Sequence, residues 1–496
     1  MSKPHTHEGP GQRHATQGPG HEPLLFWFDG EPADLAAPPD WIEGPGDAAP
    51  LRCVALDWRE AGRPRTTEGA AAWLAQSIRS WQGEGPYWLA TDSGSAELMH
   101  AVALQLLGQD QDIAFLGLLG TLPAPVATAP SSRSRDLPAW SIDPDNGVVQ
   151  RLALMATGAK VMSSTVVREP DGTRESLQAL WSDVLDLADS QAPQRAPELD
   201  YQPLIKLQSG AAGHVPLFCV PGAGDSVMGL RDFAAALGRE WPVYGLQPRG
   251  TDGVLLPHTT VEAAARAAVR AMESVTGGGP VHLAGHSFGG WIAFEIALQW
   301  QALGREVLSL ALLDSEAPDA AGVLDKEHSH LDICEQLAGS LELALGRPLG
   351  LFRHQLAPLS PAQRLAALHA AMTRHGLLPT RTRPDVMEGP LQAFGAALRA
   401  SYRPNGQWIR PVCLVQADDP RRSAERNAQD QQRDAEGWRL WAPQLQHWKG
   451  PGNHMSMLKP PHVQDCVDWW LAQQQGVNRP ATPTSPQQKT KDMGVN

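Results

Sequence analysis

Gly285-His286-Ser287-Phe288-Gly289 sets one serine between two glycines, inside the run VHLAGHSFGGWIAFEIALQW from Val281 to Trp300. A serine hydroxyl is a weak nucleophile alone. It needs a base to take its proton and an acid to orient that base. G-x-S-x-G gains meaning when a strand precedes it and a helix follows it, and both are expected here. The turn between them is so sharp that side chains at the flanking positions would strike backbone. Glycine is therefore required there, and Gly290 lets the helix pack closely. Such a turn lifts the Ser287 hydroxyl above the sheet. It also aims the Phe288 N–H, at a helix N-terminus, toward a developing oxyanion.

The base is expected downstream. His454 lies in GPGNHMSML, a Gly/Pro-rich loop followed by a final helix, whereas His447 and His462 sit in less turn-like surroundings. Two carboxylates qualify as the acid. Asp314 ends a fourth strand, 27 residues after Ser287, and Asp418 ends a fifth. Both strand ends face the serine's side of the sheet, so spacing leaves the choice open. A second oxyanion donor is expected from the loop PGAGD, at the N–H of Ala223, with Gly222 and Gly224 allowing backbone to approach the substrate.

The elements that must hold these groups alternate. VPLFCV, PVYGLQP, PVHLAG, VLSLALLD and PVCLVQAD are short apolar runs bounded by turn residues, as buried strands are. TVEAAARAAVRAMESV and GWIAFEIALQWQAL have helical spacing. Strands alternating with helices imply an α/β fold with a mostly parallel sheet covered on both faces.

A repeat lies upstream. Shifted by 194 residues, Thr66–Thr121 falls on Thr260–Ser315 without a gap, with 17 identities in 56 positions. GEGPYWLA meets GGGPVHLA, and FLGLLGT meets SLALLDS. Ser93 then takes the place of Ser287, but Thr91 and Ser95 replace the glycines, and Gly120 replaces Asp314. Between His100 and His214 there is no histidine. The first copy therefore reads as a degenerate, truncated α/β half-domain without a working site. Its unpaired sheet edge should dock on another surface, either the second copy or a larger assembly.

Composition bounds the rest. A net charge of −13 over 496 residues argues against nucleic acid as the main partner, and no apolar run is long enough to span a membrane. The five cysteines are scattered without a C-x-x-C pair, which fits a reducing cytoplasm and no zinc site. The expected organisation is a disordered tail at 1–22, the half-domain at 23–129 and a linker at 130–200 holding one amphipathic helix, Thr173–Asp189. A complete enzyme domain follows at 201–475, then a second disordered tail at 476–496.

YQPLIKLQSGAAGHVPLFCVPGAGDSVMGL, VYGLQPRGTDG, GPVHLAGHSFGGWIAFEIALQWQALGREV, LLDSEAP and GPGNHMSMLKPPHV occur in this order. Together they resemble the thioesterase domains of nonribosomal peptide and polyketide synthetases, over about Tyr201–Gln475. The resemblance implies an α/β-hydrolase fold and favours Asp314 over Asp418, because the family's acid follows the strand in LLD. It implies that the insertion at about 315–410 is a helical lid. One departure is Pro221-Gly222, where many members have His-Pro or His-Gly. It also implies a Ser287–His454–Asp314 triad acting on an acyl or peptidyl thioester, presented by a carrier protein on a phosphopantetheine arm, with no metal or bound cofactor. Release by hydrolysis or cyclisation is the expected outcome. The alternative is a transferase that shuttles the acyl group between carriers. Arg374, Arg381 and Arg383, clustered in TRHGLLPTRTRP, are candidate contacts for an acidic carrier or the arm's phosphate.

Overall fold

The computed structural model describes residues 24–28, 52–56, 58, 66–119, 136–143, 148–155, 161–168, 201–318 and 328–477. The N-terminal tail with its histidines, the helix expected at Thr173–Asp189 and the C-terminal tail from 478 lie outside these residues, while residues 476 and 477, expected in that tail, end a helix.

Among the described residues, two sheets organise the chain. The second holds the candidate site. Its strands are β8 (Leu204–Gln208), β9 (Leu217–Val220), β10 (Val243–Leu246), β11 (Val281–His286), β12 (Val307–Leu313), β13 (Val412–Gln416) and β14 (Leu445–Lys449). They lie in the order β14-β13-β12-β11-β9-β10-β8, all parallel except the edge strand β8. Side chains alternate faces along a strand, so each strand feeds two cores. Phe218, Leu283, Leu310, Leu312 and Leu414 point to one face, under helices α4 (Val261–Thr276), α5 (Phe288–Ala302) and α10 (Ala424–Arg439). Leu217, Ala284, Ala311, Leu313 and Val415 point to the other, under α3 (Arg231–Ala236) and α11 (Val463–Val477). This is an α/β-hydrolase fold. Between β12 and β13 the chain departs into α6 (His330–Leu345), α7 (Arg353–Leu356), α8 (Pro361–Arg374) and α9 (Glu388–Arg399), which share their own apolar core. Ser329 and Ser360 start α6 and α8 with reciprocal capping boxes.

The first sheet repeats part of this plan. β1 (Leu24–Trp27), β2 (Arg52–Ala55), β3 (Tyr87–Asp92) and β4 (Ile113–Leu119) are ordered β2-β1-β3-β4, as β10-β9-β11-β12 are in the second. α1 (Thr67–Trp81) and α2 (Ala96–Leu107) cover it as α4 and α5 cover the second sheet. Thr66 caps α1 through the Gly69 N–H, and Thr260 caps α4 through the Ala263 N–H, 194 residues on.

The stretch expected as a linker departs from expectation. Three further strands, β5 (Asp136–Asp143), β6 (Val148–Met155) and β7 (Val161–Arg168), extend the first sheet past β4. β5 pairs parallel with β4, so the edge expected to lie open there is paired, and β6 and β7 add antiparallel strands. β8 and β14 were also unforeseen. Both are edge strands of mixed polarity, without the unbroken apolar run of a central strand.

Candidate active site

Ser287 stands between β11 and α5 with φ 54° and ψ −127°. For a residue with a side chain this backbone is strained by roughly 1–3 kcal/mol and persists only when its surroundings over-determine it. They do. The Ser287 N–H donates to the Leu313 carbonyl at 2.8 Å, and the Gly290 N–H donates to the Ser287 carbonyl at 2.9 Å. The glycines are sterically forced. A Cβ at Gly289 would lie 2.5 Å from the Val220 oxygen, and one at Gly290 would lie 2.5 Å from Ser315 Cβ. Phe288 opens α5, so its N–H has no acceptor within the helix and sits at the positive end of the dipole.

Asp314 follows β12 with φ 50°. Its Oδ1 accepts the Ala417 N–H at 2.9 Å, and its Oδ2 lies 2.7 Å from His454 Nδ1. The loop around it is pinned from below. Trp438 Nε1 donates to the Ser315 carbonyl at 2.9 Å and Trp291 Nε1 to the Glu316 carbonyl at 2.8 Å. A carboxylate accepts, so Nδ1 of His454 carries the proton and Nε2 is the basic nitrogen. Burial alone would lower the His454 pKa. The Asp314 hydrogen bond and charge, with smaller contributions from the Glu316 and Asp225 charges, more than offset that and hold the ring above its ordinary value.

The alternatives expected from sequence are engaged elsewhere. Asp418 meets Lys449 Nζ at 2.8 Å and Gln431 Nε2 at 3.0 Å. His447 lies within β14, beside β13, and His462 flanks Gly452 on the loop that bears His454. Of the two carboxylates left open by spacing, Asp314 is the one against a histidine.

Two groups escaped the sequence reading. His286, the x of G-x-S-x-G, is buried, and its Nε2 lies 2.9 Å from the His454 carbonyl. A carbonyl only accepts, so Nε2 donates and the ring ties the histidine loop to the serine turn. Burial, then the nearby His454 charge, pushes His286 down to about 4, which keeps it neutral. Asp225 is the second, a carboxyl raised by burial and opposed by the His454 charge. Neither has a sequence pattern of its own, and only the fold brings each to His454.

The loop after β9 runs against the serine. A methyl group at Gly222 would stand 3.4 Å from Ser287 Cβ. Ala223 packs on the helices of the insertion, and Gly224, at φ 65°, leaves no room for a side chain beneath Phe394 of α9. Beside this loop a cavity of about 60 Å³ opens between Phe288, Ile292, Ala393 and Ala397, with Tyr201, Arg249 and His258 at its polar side. Burial and then the Arg249 charge push His258 down to about 3, so its ring is neutral. Arg374, Arg381 and Arg383 are all exposed, and Arg383 meets Asp385 at 3.8 Å. Among the described residues no cluster suits a metal ion, and no helix is long and apolar enough to cross a membrane. Four cysteines, at 219, 334, 413 and 466, are buried and free.

A family model described as thioesterase domain matches residues 215–469. Indigoidine synthase of Streptomyces lavendulae is 32% identical over 114 residues, covering 23% of this chain and 9% of that protein. Microperfuranone synthase of Emericella nidulans is 27% identical over 288 residues, covering 53% of this chain and 28% of that protein. The chain spans less than a third of either relative. Among solved structures, the RedJ thioesterase from the prodiginine biosynthetic pathway in Streptomyces coelicolor is similar over 52% of this chain and 86% of its own. Its identity is 22% and its TM-score 0.37. The family match takes in Ser287, Asp314 and His454 and accounts for just over half of the residues, so this chain belongs to the thioesterase domain family.

Proposed function

We propose that this chain is a serine thioesterase that releases an acyl or peptidyl group from the phosphopantetheine thiol of a carrier protein. The observation that carries the reading is the 2.7 Å hydrogen bond from His454 Nδ1 to Asp314, on a loop that His286, the neighbour of the strained Ser287, ties to the serine turn. Ser287 Oγ attacks the thioester carbonyl carbon while His454 Nε2 takes its proton. The tetrahedral oxyanion is held by the N–H groups of Phe288 and Ala223, each such donor being worth about 10²–10³ in rate. Collapse breaks the C–S bond, and the proton on His454 passes to the leaving thiolate. The Ser287 ester is then resolved by water, or by an amine or hydroxyl of the acyl chain, with His454 again as base. These steps ask nothing of a metal or bound cofactor. The synthetase relatives and the thioesterase family support a carrier-bound substrate.

Intact-protein mass spectrometry with a loaded carrier tests this. Expected are a transient acyl adduct on Ser287 and free acid or ring as product. An acyl group that leaves one carrier and appears on a second would overturn release in favour of transfer.

A further inference from the structure

Helix α2 of the first half ends against the second half. The last carbonyls of a helix have no partners within it and carry its negative dipole end. Here Thr259 supplies two donors, its N–H to the Gly108 carbonyl at 3.1 Å and its Oγ1 to the Gln105 carbonyl at 2.9 Å. Arg249 Nη2 reaches the Leu107 and Gly108 carbonyls at 3.4 and 3.3 Å, and Arg266 reaches that of Gln109 at 3.4 Å. The approach is close enough to require Gly108, where a Cβ would lie 2.6 Å from Thr259 Cγ2.

Asp110 completes the contact. It sits at φ 59°, a conformation that costs a residue with a side chain. Its counterpart 194 residues on is Gly304, at φ 72°, which meets no such cost. What Asp110 has and glycine lacks is a carboxylate. That carboxylate lies 2.5 Å from Arg249 Nη1, 3.5 Å from Arg270 Nη2 and 3.8 Å from His258 Nε2, and His258 Nε2 has no hydrogen-bond partner among the described residues. Arg249 in turn braces its own loop, donating from Nε to the Leu256 carbonyl at 2.7 Å, while Leu256 packs into the core of the first half. This loop, with Pro248, Arg249, Pro257 and His258, forms one wall of the cavity beside Ala223 and Phe288. A second wall, α9, is tied to the first half as well, through Arg399 and Glu68 at 3.3 Å.

We propose that the first half is a specificity-determining part of the thioesterase site: through Asp110 it positions the 249–259 loop that walls the cavity receiving the acyl group. The proposal rests on Ser287 as nucleophile, since that role puts the acyl group beside Phe288 and Ala223. Asp110 touches neither substrate nor reacting atoms. It acts through Arg249 and His258 and is a positioning residue. An acyl group short enough to stay out of the cavity is indifferent to its wall, whereas a longer one depends on it. Small misplacements of a site wall cost on the order of ten- to a hundredfold in rate.

Two variants of the full chain separate charge from backbone. Asparagine tolerates the left-handed conformation, so Asp110→Asn keeps the turn and removes the charge. Asp110→Gly installs the counterpart residue and relieves the backbone. Acetyl and hexanoyl thioesters of N-acetylcysteamine serve as probes. In both variants the hexanoyl-to-acetyl ratio of kcat/KM should fall about tenfold, with acetyl turnover kept and hydrogen exchange faster at the Thr259 amide. An unchanged ratio in Asp110→Gly overturns the proposal. So does an equal fall for both probes, which reports general damage. A wild-type protein that neither turns over a thioester nor takes a fluorophosphonate at Ser287 overturns the thioesterase reading instead. In that event hydrogen exchange over 249–259 still decides whether Asp110 holds the loop: unchanged exchange in both variants overturns that as well.

Discussion

β3 pairs with β4 as β11 pairs with β12, down to an irregularity after the first residue of each, Tyr87 and Val281. The turns that follow them differ. From the end of β11 into α5, glycine at 285, 289 and 290 lets neighbouring backbone close in, and Ser287 is held at φ 54°. Near the end of β3, Thr91 stands where Gly285 does, and its hydroxyl donates to the Phe28 carbonyl at 2.5 Å. Ser95 stands where Gly289 does. Asp92, at φ −69°, accepts from the Gly94 and Ser95 N–H groups and from the Ser95 hydroxyl. A short 3-10 turn, Ser93–Ser95, results. The Ser287 turn is thus a strained path kept open by missing side chains. Once side chains return, the chain takes the ordinary capped route into the helix, and the serine loses its pedestal.

The largest effect expected from this contrast is at Ser287. Ser287→Ala should lower turnover of a thioester by about 10⁴–10⁶ and leave thermal unfolding nearly unchanged. His454→Ala should cost about as much, because the pair acts as a unit. An acyl adduct on Ser93 in place of Ser287 would reverse the roles of the two turns.

Asp314→Asn comes next, at about 10⁴ in rate, since the imidazole loses the group that sets its tautomer. Asp418→Asn, which breaks contacts to Lys449 and Gln431, should be far milder. The pH profile adds a signed test. The base works as the neutral ring, so kcat/KM falls as pH drops through the His454 pKa. Asp314 raises that pKa, and its loss should therefore move the acidic limb to lower pH. A limb that stays in place would point to another carboxylate whose charge reaches His454, Glu316 or Asp225.

Much of this was legible in the residues. The G-x-S-x-G turn, the Gly/Pro-rich loop of His454 and the 194-residue offset lead directly to β3, β11 and the helices that follow. Spacing left Asp314 and Asp418 open, because each follows a parallel strand on one side of the sheet, and only the family's LLD favoured Asp314. In the fold it is Asp314 that lies 2.7 Å from His454. β5, β6 and β7 were missed because a Pro-, Ala- and Ser-rich run precedes them and their apolar residues lack a firm period. One signal was present. Asn146-Gly147 falls between β5 and β6, and Asn-Gly between two extended runs marks a hairpin. The Asp110 contact had no sequence signal, since a carboxylate after a helix is ordinary until its partner 139 residues on is known.

Gly289→Ser carries the comparison across, placing the first turn's residue in the second. Its Cβ would lie 2.5 Å from the Val220 oxygen, so the backbone must yield. Overpacking of this kind costs about 1–3 kcal/mol of stability. Thermal unfolding should report that loss, and phosphonate labelling of Ser287 should fall with it. A variant that is fully stable and fully labelled would mean that the glycines are not what holds the serine turn open.

The smallest effects belong to the first turn itself. Asp92→Ala removes a side chain that caps two N–H groups and holds the Ser95 hydroxyl at 2.6 Å. Loss of an N-cap costs about 1 kcal/mol, so a modest drop in melting temperature is expected. Catalysis should not change with it, because α2 reaches the cavity wall through its other end, at Gly108 and Asp110. Ser93→Ala should alter neither stability nor rate, since Gly120 stands where Asp314 does and no histidine lies between His100 and His214. Steady-state kinetics on a small thioester and on a loaded carrier, run beside thermal unfolding, check both variants. A rate loss in Ser93→Ala with unchanged stability would give the first turn a chemical part after all, and the two turns would then differ in degree.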